Sequence, residues 1–139
     1  MAWTTQQTVG VQQTTHHANK TYTLPASATT EYTDLIDFMG PAGHLNNRWV
    51  VGWLNASAVT GTNLDIALYG SSGPETTSTK FLLLDALVAD ITATGNNPFI
   101  LDLNAYPAPY YWIAWTSDAD ESANTIEVEL LVPKVGQTR

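Results

Sequence analysis

Hydrophobic and polar positions alternate with a period of two along most of the chain. In NLDIALYG, Leu64, Ile66 and Leu68 alternate with Asp65, Ala67 and Tyr69. In PFILDLNAY, Phe99, Leu101 and Leu103 alternate with Asp102 and Asn104, and in NTIEVELLV, Ile126, Val128, Leu130 and Val132 alternate with Glu127 and Glu129. Tyr111, Ile113 and Trp115 share one face of YYWIAWTS. This period sends one set of side chains into a core and the other toward water or a partner. EYTDLIDF and RWVVGWLN are less regular but rich in β-forming residues. Between the runs lie GPAGHLNN, NASAVTGTN, GSSGPETTST, TATGNNP, AYPAP and SDADESAN, where Gly, Pro, Asn, Asp and Ser supply turn geometry. The pattern predicts an all-β fold, an antiparallel sandwich of seven or eight strands counting a short one near TYTL. TKFLLLDALVAD fits a buried strand, but Phe81, Leu84 and Val88 also match helical spacing; its place between two turn signals favours the strand.

A length of 139 residues predicts one domain with a real core. Charged residues make up 13% of the chain, about half the usual share, and Thr, Ala, Asn and Gly fill the polar surface instead. There is no cysteine, which excludes disulfides, thiolate metal sites and a cysteine nucleophile. A net charge of −8 argues against binding nucleic-acid backbones or anionic membranes. No apolar run reaches the roughly 18 residues of a membrane span, and MAWTTQQ lacks the features of a secretory signal, so the expectation is synthesis in a cytoplasm.

Charge is unevenly spread. All 13 acidic residues lie at Glu31 or beyond, while residues 1–30 carry only Lys20 and the pair His16 and His17. The stretch is a Thr/Gln-rich sequence around VGV with few large apolar groups. It predicts an extended N-terminal arm over residues 1–30, outside a sandwich domain at 31–139. Such an arm is either a frayed terminus or a segment that orders on a neighbour by strand addition, with Trp3 as its anchor. Removing residues 2–20 should then leave the body folded.

Candidate chemistry is sparse. His16 and His17 are adjacent and point oppositely on an extended chain; His44 sits in a Gly-rich turn. No zinc-binding, serine-hydrolase or phosphate-loop motif is present. SDADES places Asp118, Asp120 and Glu121 in one turn, read as a solvated acidic tip rather than a calcium site. NKT at Asn19 and NAS at Asn55 match the glycosylation pattern by chance. The aromatic run NAYPAPYYWIAW is more informative: alternation sends Tyr110 and Trp112 away from the core, where either Trp49 or Trp53 covers them or, with Tyr106, they form a subunit contact or sugar-stacking platform. No cofactor and no metal are expected.

The succession VTGTNLDIALYGSSG, ITATGNNPFILDL, PYYWIAWTSD and NTIEVELLV resembles the small β-sandwich cement, or decoration, proteins of tailed-bacteriophage heads, over residues 31–133. The resemblance implies a jelly-roll-like sandwich without enzymatic activity. It implies a virion location on the outer capsid surface, where the protein would bridge neighbouring major capsid subunits and act as a trimer or dimer. Under that reading the capsid-binding arm carries Trp3, Val9, Val11, His16, His17 and Lys20, and its lack of acids suits an acidic partner surface. Tyr106, Tyr110 and Trp112 form the oligomer or partner interface. The alternative is a carbohydrate-binding or host-attachment domain using the same aromatic residues.

Overall fold

The computed structural model describes residues 4–9, 14–36 and 49–134. These form nine strands and, among the described residues, no helix: β1 (Thr4–Val9), β2 (Thr14–Thr23), β3 (Thr30–Tyr32), β4 (Trp49–Ala56), β5 (Leu64–Ser71), β6 (Lys80–Leu84), β7 (Gly95–Asp102), β8 (Tyr110–Ser117) and β9 (Thr125–Lys134). They make two antiparallel sheets, a five-stranded one in the order β1-β2-β9-β4-β7 and a four-stranded one in the order β3-β8-β5-β6. Pairing is nested, β2 with β9, β3 with β8, β4 with β7 and β5 with β6, as in one long hairpin folded over on itself. The β4–β9 and β5–β8 pairs complete the sheets.

The core lies between the sheets and follows the alternation. Leu54, Leu64, Ile66, Leu68, Ile113, Trp115, Ile126 and Val128 are all buried, while the intervening Asp65 is exposed. Tyr22 on β2 meets Trp115 on β8 at a ring separation of 5.3 Å, tying one sheet to the other. The segment that fitted both periods resolves into strand β6 and then an irregular stretch. Its Leu87 and Val88 fold into the core as Leu87 N–H donates to the Ile66 carbonyl and Ile91 bridges Leu64.

The boundary expected at residue 30 is displaced. Residues 14–23 pair with β9 along ten consecutive positions, and Leu24 is buried in the core. A stretch this poor in large apolar groups hides its strand from a hydrophobic pattern. Main-chain pairing with β9, which needs no apolar pattern, holds it, together with a few side chains such as Tyr22 against Trp115. β1 extends the same sheet by pairing with β2, so the strand count rises to nine.

Gly52 is a buried glycine with no room for a side chain. It sits between Phe99 and Leu130 on the flanking strands, and a Cβ there would lie 2.3 Å from the Glu129 carbonyl oxygen, 2.9 Å from Phe99 Cζ and 3.2 Å from Leu130 Cδ2. Gly52→Ala is therefore expected to destabilise the fold by about 1–3 kcal/mol through overpacking, read from denaturant midpoints at unchanged m-value. Deleting residues 2–20 strips most of β2 from β9, so the truncated chain should melt well below the full chain. Deleting residues 2–13 keeps the β2–β9 pairing and should shift melting far less.

Candidate functional site

Three of the connections at one end of the sandwich are tied together by a carboxylate. Glu121, in the β8–β9 turn, is fully buried. Its side chain accepts hydrogen bonds from the backbone N–H of Thr60 (2.8 Å) and Gly61 (2.7 Å) in the β4–β5 loop, from Asn124 Nδ2 (2.8 Å) and from Ser117 Oγ (3.1 Å). Its own N–H donates to the Pro25 carbonyl in the β2–β3 connection. Nearby, Asp118 Oδ1 accepts from Thr62 N–H, and Asp118's carbonyl accepts from Ser27 Oγ. Gly61 permits this approach, since a Cβ there would lie 2.4 Å from Asp118 Oδ1. Burial alone pushes the Glu121 carboxyl up, but the four donors outweigh it and hold the group below the ordinary glutamate range. Glu121 of SDADES is thus a buried staple for the VTGTN loop, while Asp118 and Asp120 are exposed as a solvated tip requires, and the described residues contain no cluster of three or more potential metal ligands.

The aromatic run is divided between two environments. Tyr111 is a core residue whose hydroxyl donates to the Tyr106 carbonyl (2.7 Å) and accepts from Ala108 N–H (3.0 Å), locking the loop before β8. Trp112 points to the outer face of the four-stranded sheet, as alternation requires, yet is only 1% exposed. Trp53, expected as a cover, lies on β4 in the other sheet, the strand to which Trp49 also belongs. Lys80 lies over Trp112: Nζ is 4.3 Å from its ring centroid and 4.9 Å from that of Tyr32, and donates to the Thr76 carbonyl at 2.7 Å. Trp112 Nε1 donates to Ser71 Oγ at 2.8 Å, and Tyr32 meets Tyr69 edge-on. The indole is consumed inside the molecule, while Tyr106 and Tyr110 remain half-buried at its margin.

The residues assigned to the arm fare differently. Trp3 and Val11 lie outside the described residues. Val9 pairs with Thr14 across the β1–β2 hairpin, and His16 and His17 pair with Val132 and Leu131 across β2–β9. Lys20 forms a salt bridge with Asp34 in the chain leaving β3 and lies 4.7 Å from the Tyr22 ring. Asn19 Nδ2 donates to both Glu127 (3.0 Å) and Glu129 (2.8 Å), two carboxylates side by side on β9. An acid at position 19 would add a third negative charge there, and one at position 20 would face Asp34. At these two positions the absence of acids from the first thirty residues has an intramolecular cause.

One surface escaped the sequence reading. On the outer face of the five-stranded sheet, Val51 stands opposite Ile100 on β7 and opposite Leu131 on β9. The three form a row across three strands and are 38%, 68% and 39% exposed. Trp53, half-buried between Pro98 and Glu129, lies in the next row. Beyond it Asn55, Ser57, Thr21, Thr94, Thr125 and Glu127 line a shallow polar depression of about 190 Å³. The signal was present in the doublets Val50–Val51, Ile100–Leu101 and Leu130–Leu131: in a period-two strand a doublet forces one apolar residue outward. Only pairing register reveals that the three outward members align.

Glu121→Gln should lower stability by about 1–3 kcal/mol near neutral pH, because an amide keeps one acceptor oxygen and turns a donor toward backbone N–H groups. The wild-type carboxyl titrates lower when folded than when unfolded. Its contribution is therefore fully present above the unfolded value near 4.5 and is lost as pH falls through the folded value. Denaturant titrations from pH 7 to pH 3 should show the gap between wild type and Glu121→Gln shrinking on the acid side.

Comparison with protein-family models and with curated proteins finds no match to this chain.

Proposed function

We propose that this chain is a non-catalytic structural protein that docks through the outer face of its five-stranded sheet. Following the resemblance drawn from the sequence, the docked surface is the outside of a tailed-phage capsid, where the protein cements neighbouring major capsid subunits. The observation that carries the docking is the row Ile100–Val51–Leu131, apolar and solvent-facing across three paired strands. Isolated exposed apolar residues are ordinary, but an aligned row across paired strands matches the apolar centre and polar rim of protein interfaces. Asn19, Asn55, Glu127 and Glu129 supply polar neighbours to it. The nested strand pairing supports the jelly-roll-like wiring that the resemblance implies. The buried polar side chains support a structural reading: Glu121, Ser117 and Ser71 spend their hydrogen-bonding capacity on holding loops and rings in place. A sugar platform built on Trp112 loses its central ring to Lys80.

The test is co-sedimentation of the purified protein with capsids stripped of decoration. Ile100→Glu and Leu131→Glu should each lower apparent affinity about tenfold or more, equivalent to about 1.4 kcal/mol of lost docking, with melting temperature nearly unchanged because both side chains face solvent. Full occupancy by both variants would overturn the docking face. Failure of the wild type to bind any capsid while it binds immobilised glycans would overturn the capsid reading.

A further inference from the structure

The outer face of the five-stranded sheet changes character along β4. Past the apolar row and Trp53, Asn55 stands opposite Glu127 on β9, which stands opposite Thr21 on β2. With Ser57, Thr94 and Thr125 they line the polar depression of about 190 Å³. Its two central side chains are each held at one atom and idle at another. Asn55 Oδ1 accepts from Gly95 N–H at 3.0 Å and from Thr94 Oγ1 at 3.4 Å. Because an N–H needs an acceptor, this contact fixes which end of the amide is oxygen. Asn55 Nδ2 then donates to nothing among the described residues. Glu127 Oε2 accepts from Asn19 Nδ2 at 3.0 Å, while Glu127 Oε1 accepts from nothing among the described residues. Ser57 Oγ accepts from Thr125 N–H at 3.0 Å, which leaves its own proton to give. Directly opposed positions on paired strands therefore present one idle donor and one idle acceptor, both oriented from behind.

We infer that this depression binds a neutral sugar, taking two adjacent hydroxyls between Asn55 and Glu127. One hydroxyl accepts from Asn55 Nδ2 and its neighbour donates to Glu127 Oε1. A sugar diol can do both at once, and side chains already oriented lose little freedom on binding it. The hydroxyls of Thr21, Ser57, Thr94 and Thr125 donate or accept as a ring requires. An anion is disfavoured, because no Lys or Arg lines the depression and Glu127 has Glu129 beside it on the same face. An apolar ligand would leave the polar lining unpaired. The volume is below the roughly 300 Å³ at which drug-sized pockets begin, which suits a single ring. Trp53 lies about 7 Å back along the strand on the same face, where its indole can carry a second ring of a longer saccharide. Asn55 is about 13 Å along β4 from Val51, so the depression lies at the rim of the docking face. The inference goes beyond the docking role and does not rest on it.

The test is chemical-shift mapping on the full, isotope-labelled chain. It is titrated separately with the methyl glycosides of glucose, galactose, mannose and N-acetylglucosamine, to about tenfold above a millimolar Kd. At least one glycoside should move the Asn55 side-chain amide together with the backbone amides of Ser57, Gly95 and Thr125. Inorganic phosphate should move none of them. Asn55→Asp keeps an acceptor for Gly95 N–H but replaces the idle donor with an acceptor. Glu127→Gln keeps an oxygen for Asn19 but replaces the idle acceptor with a donor. Each should weaken glycoside binding about tenfold or more while melting close to the wild type. If either variant melts early, the wild-type shifts decide alone. Ile100→Glu should bind the glycoside as the wild type does, so sugar binding and capsid docking are read independently. The sugar site is overturned if no glycoside moves these amides, if the shifts centre on Tyr106 and Tyr110, or if both well-folded variants bind like the wild type.

Discussion

The sandwich is closed at one end by a single buried charge. Glu121 has no contact with solvent, and an ionised carboxylate in that position is tolerable only if its oxygens are fully hydrogen-bonded. Two backbone N–H groups of the β4–β5 loop, one amide and one hydroxyl meet that demand. The loops must therefore converge where the carboxylate is, and with them the ends of β2, β4, β5, β8 and β9. β9 follows directly from the turn that holds Glu121, enters its sheet between β2 and β4, and carries Leu131 of the apolar row. The exposed apolar row and the buried charge are linked through one strand.

The two outer faces are finished in opposite ways. On the four-stranded sheet an internal cation, Lys80, lies over Trp112 and Tyr32, and its ammonium group is satisfied by carbonyls of the loop that precedes it. A Trp that strand alternation pushes outward is thereby kept from water without a partner. On the five-stranded sheet nothing comparable lies over Ile100, Val51 and Leu131 among the described residues. The contrast gives the aromatic run a structural role and moves the candidate interface to aliphatic residues on the other side of the molecule.

Much of the fold was legible in the alternation, because a half-buried strand must repeat every two residues: the runs through Leu64–Leu68, Phe99–Leu101, Tyr111–Trp115 and Ile126–Leu130 are strands with the expected faces inward. What alternation could not show was β2, whose stabilisation comes from main-chain pairing with a strand more than a hundred residues away and leaves no apolar pattern. Nor could it show that Glu121, in a turn rich in Asp and Ser, is the buried member of its acidic group; burial depends on where the β4–β5 loop lies. The apolar doublets were visible as isolated anomalies, but their alignment into one row and the placing of β6 at an edge are facts of pairing register. Periodicity is local and is written in the order of residues. Register and strand order arise from contacts distant in sequence, and only the tertiary structure decides them.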